Sequence, residues 1–102
     1  MIVYNTTFHA HLDVVQDFLD WLRTVYVPRA IADGRLSEPR LTFVLNAEES
    51  DGHNYSLQFR AADVDALRDW YVAVGDDLVM EMAGRFGDKV AGFSTLLEEV
   101  GL

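Results

Sequence analysis

Two changes of periodicity constrain the fold of this chain more than any other feature. Side chains alternate between buriable and polar over residues 2–10, as they do in a half-buried strand. Apolar residues then recur at helical spacing over 15–26 and, farther along, over 64–82. Three more alternating stretches predict strands, at 40–46, 54–60 and 89–100. The predicted order of elements is therefore β-α-β-β-α-β.

This order is that of the ferredoxin-like α+β fold. Right-handed crossovers place both helices on one face of a four-stranded antiparallel sheet, with the first and third strands at its centre. With 102 residues, the chain is expected to form a single domain over 1–102. One face of the sheet is then covered by helices, and the other face is bare in a monomer.

Turn and helix-end signals divide the chain further. The polar stretch 47–53 contains an Asp-Gly step and predicts a hairpin between the second and third strands. Pro28 predicts that the first helix stops or kinks there, with a further turn that ends at Gly34 in the left-handed conformation. Asp63 is expected to cap the second helix, which Gly75 should bend or interrupt.

The charge balance argues against polyanionic partners. Seventeen Asp and Glu residues against eight Lys and Arg residues give a formal net charge of -9. A field of this sign repels phosphate backbones and anionic lipid headgroups, so we expect no nucleic-acid partner and no membrane partner. The chain has no cysteine, which excludes thiol catalysis, and its first residues do not resemble a signal peptide. These features fit a cytoplasmic protein.

The bare side of the sheet is termed here the helix-free face. Its residue types indicate a possible binding surface. When the apolar side chains of the strands meet the helices, the following residues remain on this face: Val3, Asn5, Thr7, His9, Thr42, Val44, Ser56, Gln58, Ser94 and Leu96. Most are short, uncharged and able to hydrogen bond, which suits a partly enclosed wet cavity because neutral groups cost less to bury than charges. A plain solvent-facing sheet is the alternative.

Several short pieces of the chain together carry a resemblance to a known family. They are Tyr4-Asn5-x-Thr7, Trp21 with Val27-Pro28, Gln58, Arg85-Phe86-Gly87-Asp88-Lys89 and Phe93-x-Thr95-Leu96-Leu97-Glu98. In this combination the chain resembles small uncharacterised bacterial proteins grouped as domain-of-unknown-function family 4286. The resemblance extends over nearly the whole chain. It implies a ferredoxin-like domain of the dimeric α/β-barrel type, with no established activity and no catalytic residues.

Two histidines near the end of the first strand are the clearest chemical signals. His9 and His11 lie on the same side of the strand, roughly 6 to 7 Å apart at Cα, close enough to share a metal ion. Asp13 or His53 could supply a third ligand. Without a fixed third ligand, however, the pair is more typical of a polar strand end, and no native metal site is expected. His9 alone is a weak candidate for a general base, because imidazole titrates near neutral pH.

The candidate ligand-binding residues come from the first and third strands and can hydrogen bond or pair with an anion. They are Asn5, Thr7, His9, Ser56, Gln58 and Arg60. Arg60 and Arg40 could receive a carboxylate or a phosphate at the rim, unless neighbouring acids engage them in ion pairs. The sequence contains no Gly-rich phosphate loop and no nucleophile elbow, and no cofactor is expected.

Three functional hypotheses of different class follow. The favoured hypothesis is a homodimeric binding module, in which each subunit closes the helix-free face of the other around a small organic molecule. The alternative is a cofactor-independent enzyme, monooxygenase- or isomerase-like, with His9 as base and Asn5, Gln58 or Arg60 holding a developing oxyanion. A protein-protein interaction domain is a third hypothesis. The sequence leaves open whether the protein is an enzyme.

Overall fold

The computed structural model describes residues 1–48 and 50–102, and Glu49 in the predicted 47–53 turn lies outside the described residues. The strands are β1 (Ile2–His11), β2 (Leu36–Phe43), β3 (Gly52–Ala61) and β4 (Val90–Glu98). The helices are α1 (Val15–Trp21), α2 (Val27–Ile31), α3 (Val64–Trp70) and α4 (Asp76–Phe86). A π-helical segment joins α1 to α2 (Leu22–Tyr26), another joins α3 to α4 (Tyr71–Gly75), and a 3-10 turn (Gly87–Lys89) precedes β4.

The four strands form one antiparallel sheet in the order β2-β3-β1-β4, so β1 and β3 are central as predicted. Even-numbered residues of β1 are buried, whereas odd-numbered ones are only half-buried. Phe8 packs edge-on against Phe18 of α1, and Tyr4 packs against Trp70 of α3. Both helical stretches therefore cover the same side of β1. The predicted α+β ferredoxin-like fold is confirmed.

Each helical stretch contains a π-helical segment close to its predicted interruption. The first helix does not stop at Pro28, because the π-helical turn directly before it widens the helix where the ring would meet a preceding carbonyl. Gly34 has a φ of +81°, which confirms the left-handed end. Asp63 caps α3 as predicted, since its carboxylate accepts the N–H of Ala66 at 2.8 Å. Gly75 lies at the end of the second π-helical segment.

The register of β4 reverses the prediction for this strand. Tyr4 pairs with Leu96, and Thr6 pairs with Ser94, across the ladder between β1 and β4. Directly paired residues of antiparallel strands point to the same side, so Ser94 and Leu96 lie on the side covered by the helices. The prediction that Ser94 and Leu96 belong to the helix-free face is wrong.

Close packing between β1 and β4 explains this reversal. Gly92 lies against the ring of Phe8, and a Cβ atom built on Gly92 would be 2.9 Å from a ring carbon. On the side of β4 that faces the helices, there is therefore room only for small residues at the centre of the strand. The larger Phe93 and Leu97 lie on the helix-free face, where their side chains are 66% and 45% exposed.

The edge strand β2 begins earlier than predicted and is less covered. It starts at Leu36, and a bulge between Ser37 and Arg40 includes Glu38 in the left-handed region, with a φ of 52°. A bulge adds an unpaired residue and breaks the alternation, which is why the sequence pattern begins only after it. Phe43 points to the predicted side, yet it is not buried.

Candidate functional site

The helix-free face is divided into a polar part and an apolar part. Asn5 and Thr7 of β1 lie opposite Gln58 and Ser56 of β3, and all four side chains are half-buried. This group of four is termed the polar patch. Beside it lie the exposed apolar side chains of β4 described above. The predicted ligand-binding residues of β1 and β3 are thus brought together on one surface.

Hydrogen bonds order part of the polar patch. The hydroxyl of Ser56 donates to Oδ1 of Asn5, and Nδ2 of Asn5 donates to Oγ1 of Thr7 at 3.4 Å. Within the described part of the chain, no hydrogen bond is formed by the side-chain amide of Gln58. The amide of Gln58 therefore presents one acceptor and two donors for a molecule that would lie on this face.

His9 lies at one end of the polar patch and already has polar partners. Its Nδ1 atom contacts Oδ1 of Asn54, and its Nε2 atom lies 3.0 Å from Oδ1 of Asp51. Both partners are acceptors, so a protonated imidazole satisfies both, whereas a neutral ring can donate to only one. One of these contacts would have to open before His9 could accept a proton from a substrate. The role of His9 as a base stays a prediction.

His11 lies near an ion pair and away from the polar patch. Its Nδ1 atom accepts the backbone N–H of Asp13 at 3.2 Å. The ammonium group of Lys89, 3.1 Å from the carboxylate of Asp13, lowers the pKa of that carboxyl group. Among residues 1–48 and 50–102, no three His, Asp or Glu side chains gather in a way that could hold a metal ion.

Arg60 lies at the opposite end of the helix-free face, between two carboxylates. It donates to Oε2 of Glu38 at 3.0 Å and to Oε1 of Glu99. These hydrogen bonds raise the pKa of the Arg60 guanidinium above its ordinary value. The three residues line a depression of about 280 Å³ that also contains Arg40 and Gln58. These are the ion pairs with neighbouring acids that the sequence analysis gave as the alternative to anion binding. An anionic ligand would have to displace a carboxylate from Arg60.

A second polar cluster, which the sequence analysis did not identify, lies on the other side of the sheet. It surrounds an inner cavity of about 140 Å³ between the helices and the strands β1 and β4. The hydroxyls of Tyr4 and Tyr71 are 2.6 Å apart, and the hydroxyl of Ser94 lies 3.4 Å from that of Tyr4. Thr6 completes the cluster through a 3.0 Å contact between its Oγ1 atom and Oγ of Ser94.

Two tyrosines at the inner cavity have raised pKa values. Burial and the hydrogen bond to Tyr4 raise the pKa of Tyr71 to about 12. Burial, together with the nearby hydroxyls of Tyr4 and Tyr71, also raises the pKa of Tyr26 well above its ordinary value. One signal for this cluster was present in the sequence. Thr6 is a polar residue in the otherwise apolar series of β1 that faces the helices, and it is only 7% exposed.

Comparisons with known proteins extend these observations. The model of a family described as a domain of unknown function, DUF4286, matches residues 1–100. A search of curated proteins found no match. No helix within the described residues has both the length and the apolar character needed to cross a bilayer.

Solved structures with the same fold share little sequence with this chain. A candidate antibiotic biosynthesis monooxygenase from Deinococcus radiodurans aligns over 100% of this chain and 95% of its own, with 12% identity and a TM-score of 0.72. A protein of the ethyl tert-butyl ether d (ethd) family from Bacillus halodurans aligns over 98% of this chain and 100% of its own, with 14% identity and a TM-score of 0.69. A dimeric ferredoxin-like protein from an uncultured marine organism aligns over 100% and 99%, with 11% identity and a TM-score of 0.63. At such identities the likeness shows the fold alone.

Proposed function

The chain belongs to the DUF4286 family, and we propose that this protein is a homodimer that binds a small organic molecule between the helix-free faces of its two sheets. The single observation that carries the proposal is the composition of that face, where neutral hydrogen-bonding side chains lie beside exposed apolar ones. An apolar surface of this kind is stabilised when a partner covers it. The dimeric ferredoxin-like structure from the marine organism supports the same assembly by analogy.

The dimensions of the face support pairing of two copies. Four strands spaced roughly 4.8 Å apart and about 30 Å long present a surface of roughly 600 Å² before side-chain relief is added. A stable interface of standard size buries about 800 Å² on each partner. The helix-free face therefore comes close to the required area, and the sheet edges would add the rest.

The polar patch supports a neutral ligand. Asn5, Thr7, Ser56 and Gln58 carry no charge, and together they offer both donors and acceptors. His9 and Arg60 lie at the two ends of the patch, and both already contact carboxylates. A small uncharged molecule with amide, carbonyl or hydroxyl groups fits this arrangement best, because it leaves those ion pairs intact.

Changing Phe93 to Asp should separate the subunits. A carboxylate in an apolar interface must be buried unpaired, and we expect the dimer dissociation constant to rise at least about 100-fold. Sedimentation equilibrium of the wild type and the variant over a range of concentrations measures this effect. Val72→Asp is the matched control, because Val72 is 79% exposed on the helical side and should not alter assembly. A wild type that is monomeric at micromolar concentration would contradict the proposal.

Binding at the polar patch can be tested with benzamide, a neutral ring with an amide that complements Gln58. In a titration followed by NMR, the side-chain amide signals of Asn5 and Gln58 should shift saturably in the wild type. We expect the Gln58→Leu variant to bind at least about fivefold more weakly, since one neutral hydrogen bond contributes about 1 kcal/mol. Thr42→Val, on the same face but outside the polar patch, is the control. If benzamide shifts neither amide in the dimer, the ligand pocket is not where we propose it.

A further inference from the structure

We infer that the inner cavity between the helices and the sheet is a separate binding site for a small neutral phenol, meaning one aromatic ring that carries a hydroxyl group. This site lies on the side of the sheet opposite the polar patch and does not depend on the proposed dimer. Its wall contains hydroxyl side chains from the sheet (Tyr4, Thr6 and Ser94) and from the two helical stretches (Tyr26 and Tyr71). The remainder of its wall is mostly aromatic and aliphatic.

Contacts within the hydroxyl cluster do not use all of its protons. Tyr4, Thr6, Tyr71 and Ser94 contribute four hydroxyl groups, and three contacts join them into one chain. Each contact uses one proton, so four protons minus three contacts leaves one donor, and Tyr26 adds a fifth hydroxyl group to the cavity wall. Several lone pairs also remain. A bound hydroxyl group can therefore accept one hydrogen bond from the cluster and donate one to it.

Two π-helical segments bring tyrosines to the cavity. Tyr26 is the last residue of the π-helical segment Leu22–Tyr26, and Tyr71 is the first residue of the π-helical segment Tyr71–Gly75. Segments of this kind are rare in proteins, and those that occur often lie at functional sites. Here both of them deliver a tyrosine to the same cavity. Two independent irregularities thus converge on one small volume.

The volume of the cavity and the charge of its lining restrict the class of ligand. A cavity of about 140 Å³ is close to the engineered cavity of about 150 Å³ that accommodates benzene in another protein. No Asp, Glu, Lys or Arg of the described residues lines it. The burial that raises the pKa of Tyr71 also opposes an anionic ligand in this cavity. The ligand class is therefore a single ring with its hydroxyl protonated, and a phenolate or a larger polycyclic molecule should be rejected.

A route into the cavity lies along α4. Val79 and Met82 line the cavity, and Val79 is 51% exposed at the surface. Methionine is flexible, and its side chain can rearrange at a modest energetic cost. A small aromatic molecule could enter between these two side chains without movement of the backbone.

The test compares two probes, 4-fluorophenol and fluorobenzene, by fluorine NMR titration of the purified full chain. The wild type should bind 4-fluorophenol about tenfold more tightly than fluorobenzene, because only the phenol uses the hydroxyl cluster. In a hydroxyl-free variant, which replaces all five hydroxyl side chains by apolar ones of similar shape (Tyr4→Phe, Thr6→Val, Tyr26→Phe, Tyr71→Phe and Ser94→Ala), this preference should fall to about twofold or less while fluorobenzene binding is retained. A general loss of structure would weaken both probes alike, so the ratio isolates the hydroxyls.

Two further variants make the result decisive. Val79→Trp should block the entrance and reduce binding of both probes at least about fivefold, whereas Gln58→Leu on the helix-free face should retain phenol binding. The inference is overturned if the wild type shows no preference for the phenol, or if the preference survives in the hydroxyl-free variant. It is also overturned if Gln58→Leu abolishes phenol binding, since the probe would then occupy the polar patch.

Discussion

Replacing Trp70 with alanine is expected to lower the free energy of unfolding by about 3–5 kcal/mol, a large part of the total for a domain of this size. Trp70 is 1% exposed and packs edge-on against the rings of Tyr4 and Tyr71. Its indole N–H donates to the backbone carbonyl of Ala30 at 2.9 Å, which joins α3 to α2. The substitution creates a cavity and leaves that buried carbonyl unpaired. Urea unfolding followed by circular dichroism measures the loss.

Trp70→Phe separates the two contributions. Phenylalanine retains much of the ring packing but cannot donate to Ala30, so this variant should lose about 1–3 kcal/mol. Because Trp70 also supports two tyrosines of the inner cavity, Trp70→Ala should abolish the preference for 4-fluorophenol even where the protein remains folded. Equal stability of Trp70→Ala and the wild type would show that this packing is not as described.

The second large effect is expected from Gly52→Ala, at the start of β3. A Cβ atom on Gly52 would lie 2.2 Å from the backbone oxygen of Ala10 and 2.9 Å from the ring of His9. A backbone oxygen cannot rotate away as a side chain can, so the ladder between β1 and β3 must open at this end. We expect a loss of about 2–4 kcal/mol in the free energy of unfolding, measured by denaturant titration.

Gly84→Ala is the matched control, because it makes the same chemical change in a different environment. Gly84 lies within α4, and a Cβ atom there would meet no atom within 4 Å. Alanine favours the helix over glycine, so this variant should gain about 0.5–1 kcal/mol. Opposite signs for the two variants are the expected result. A neutral Gly52→Ala would contradict the close approach of β3 to β1.

The sequence predicted the central strands best, because their buried and exposed side chains alternate regularly. β1 and β3 are covered by helices on one side only, and their alternation follows that difference directly. β4 was assigned the wrong side, because a search for apolar residues places Phe93 in the core. Packing instead requires Gly92 under the ring of Phe8, a requirement that involves a residue far away in sequence.

The candidate site shows the same limit. Asn5, Ser56 and Gln58 were assigned correctly to one face of the sheet because strand alternation alone determines it. The inner cavity was missed, because Tyr71 and Thr6 lie within apolar series and tyrosine and threonine there resemble ordinary core residues. Only the three-dimensional arrangement brings their hydroxyls together. Polar atoms gathered from distant segments leave little trace in a single sequence.

One residue can be removed from the turn that joins α3 to α4 without turning α4 away from the sheet. A π-helical turn contains one residue more than an α-helical turn, yet it carries the chain through the same full rotation. If one residue of Tyr71–Gly75 is deleted, that turn can tighten to ordinary α-helix, and the face of α4 that buries Leu78 keeps its direction. The same deletion within α4 would rotate every later side chain by about 100°. The π-helical turn is therefore the position at which this helical stretch accepts a change of length.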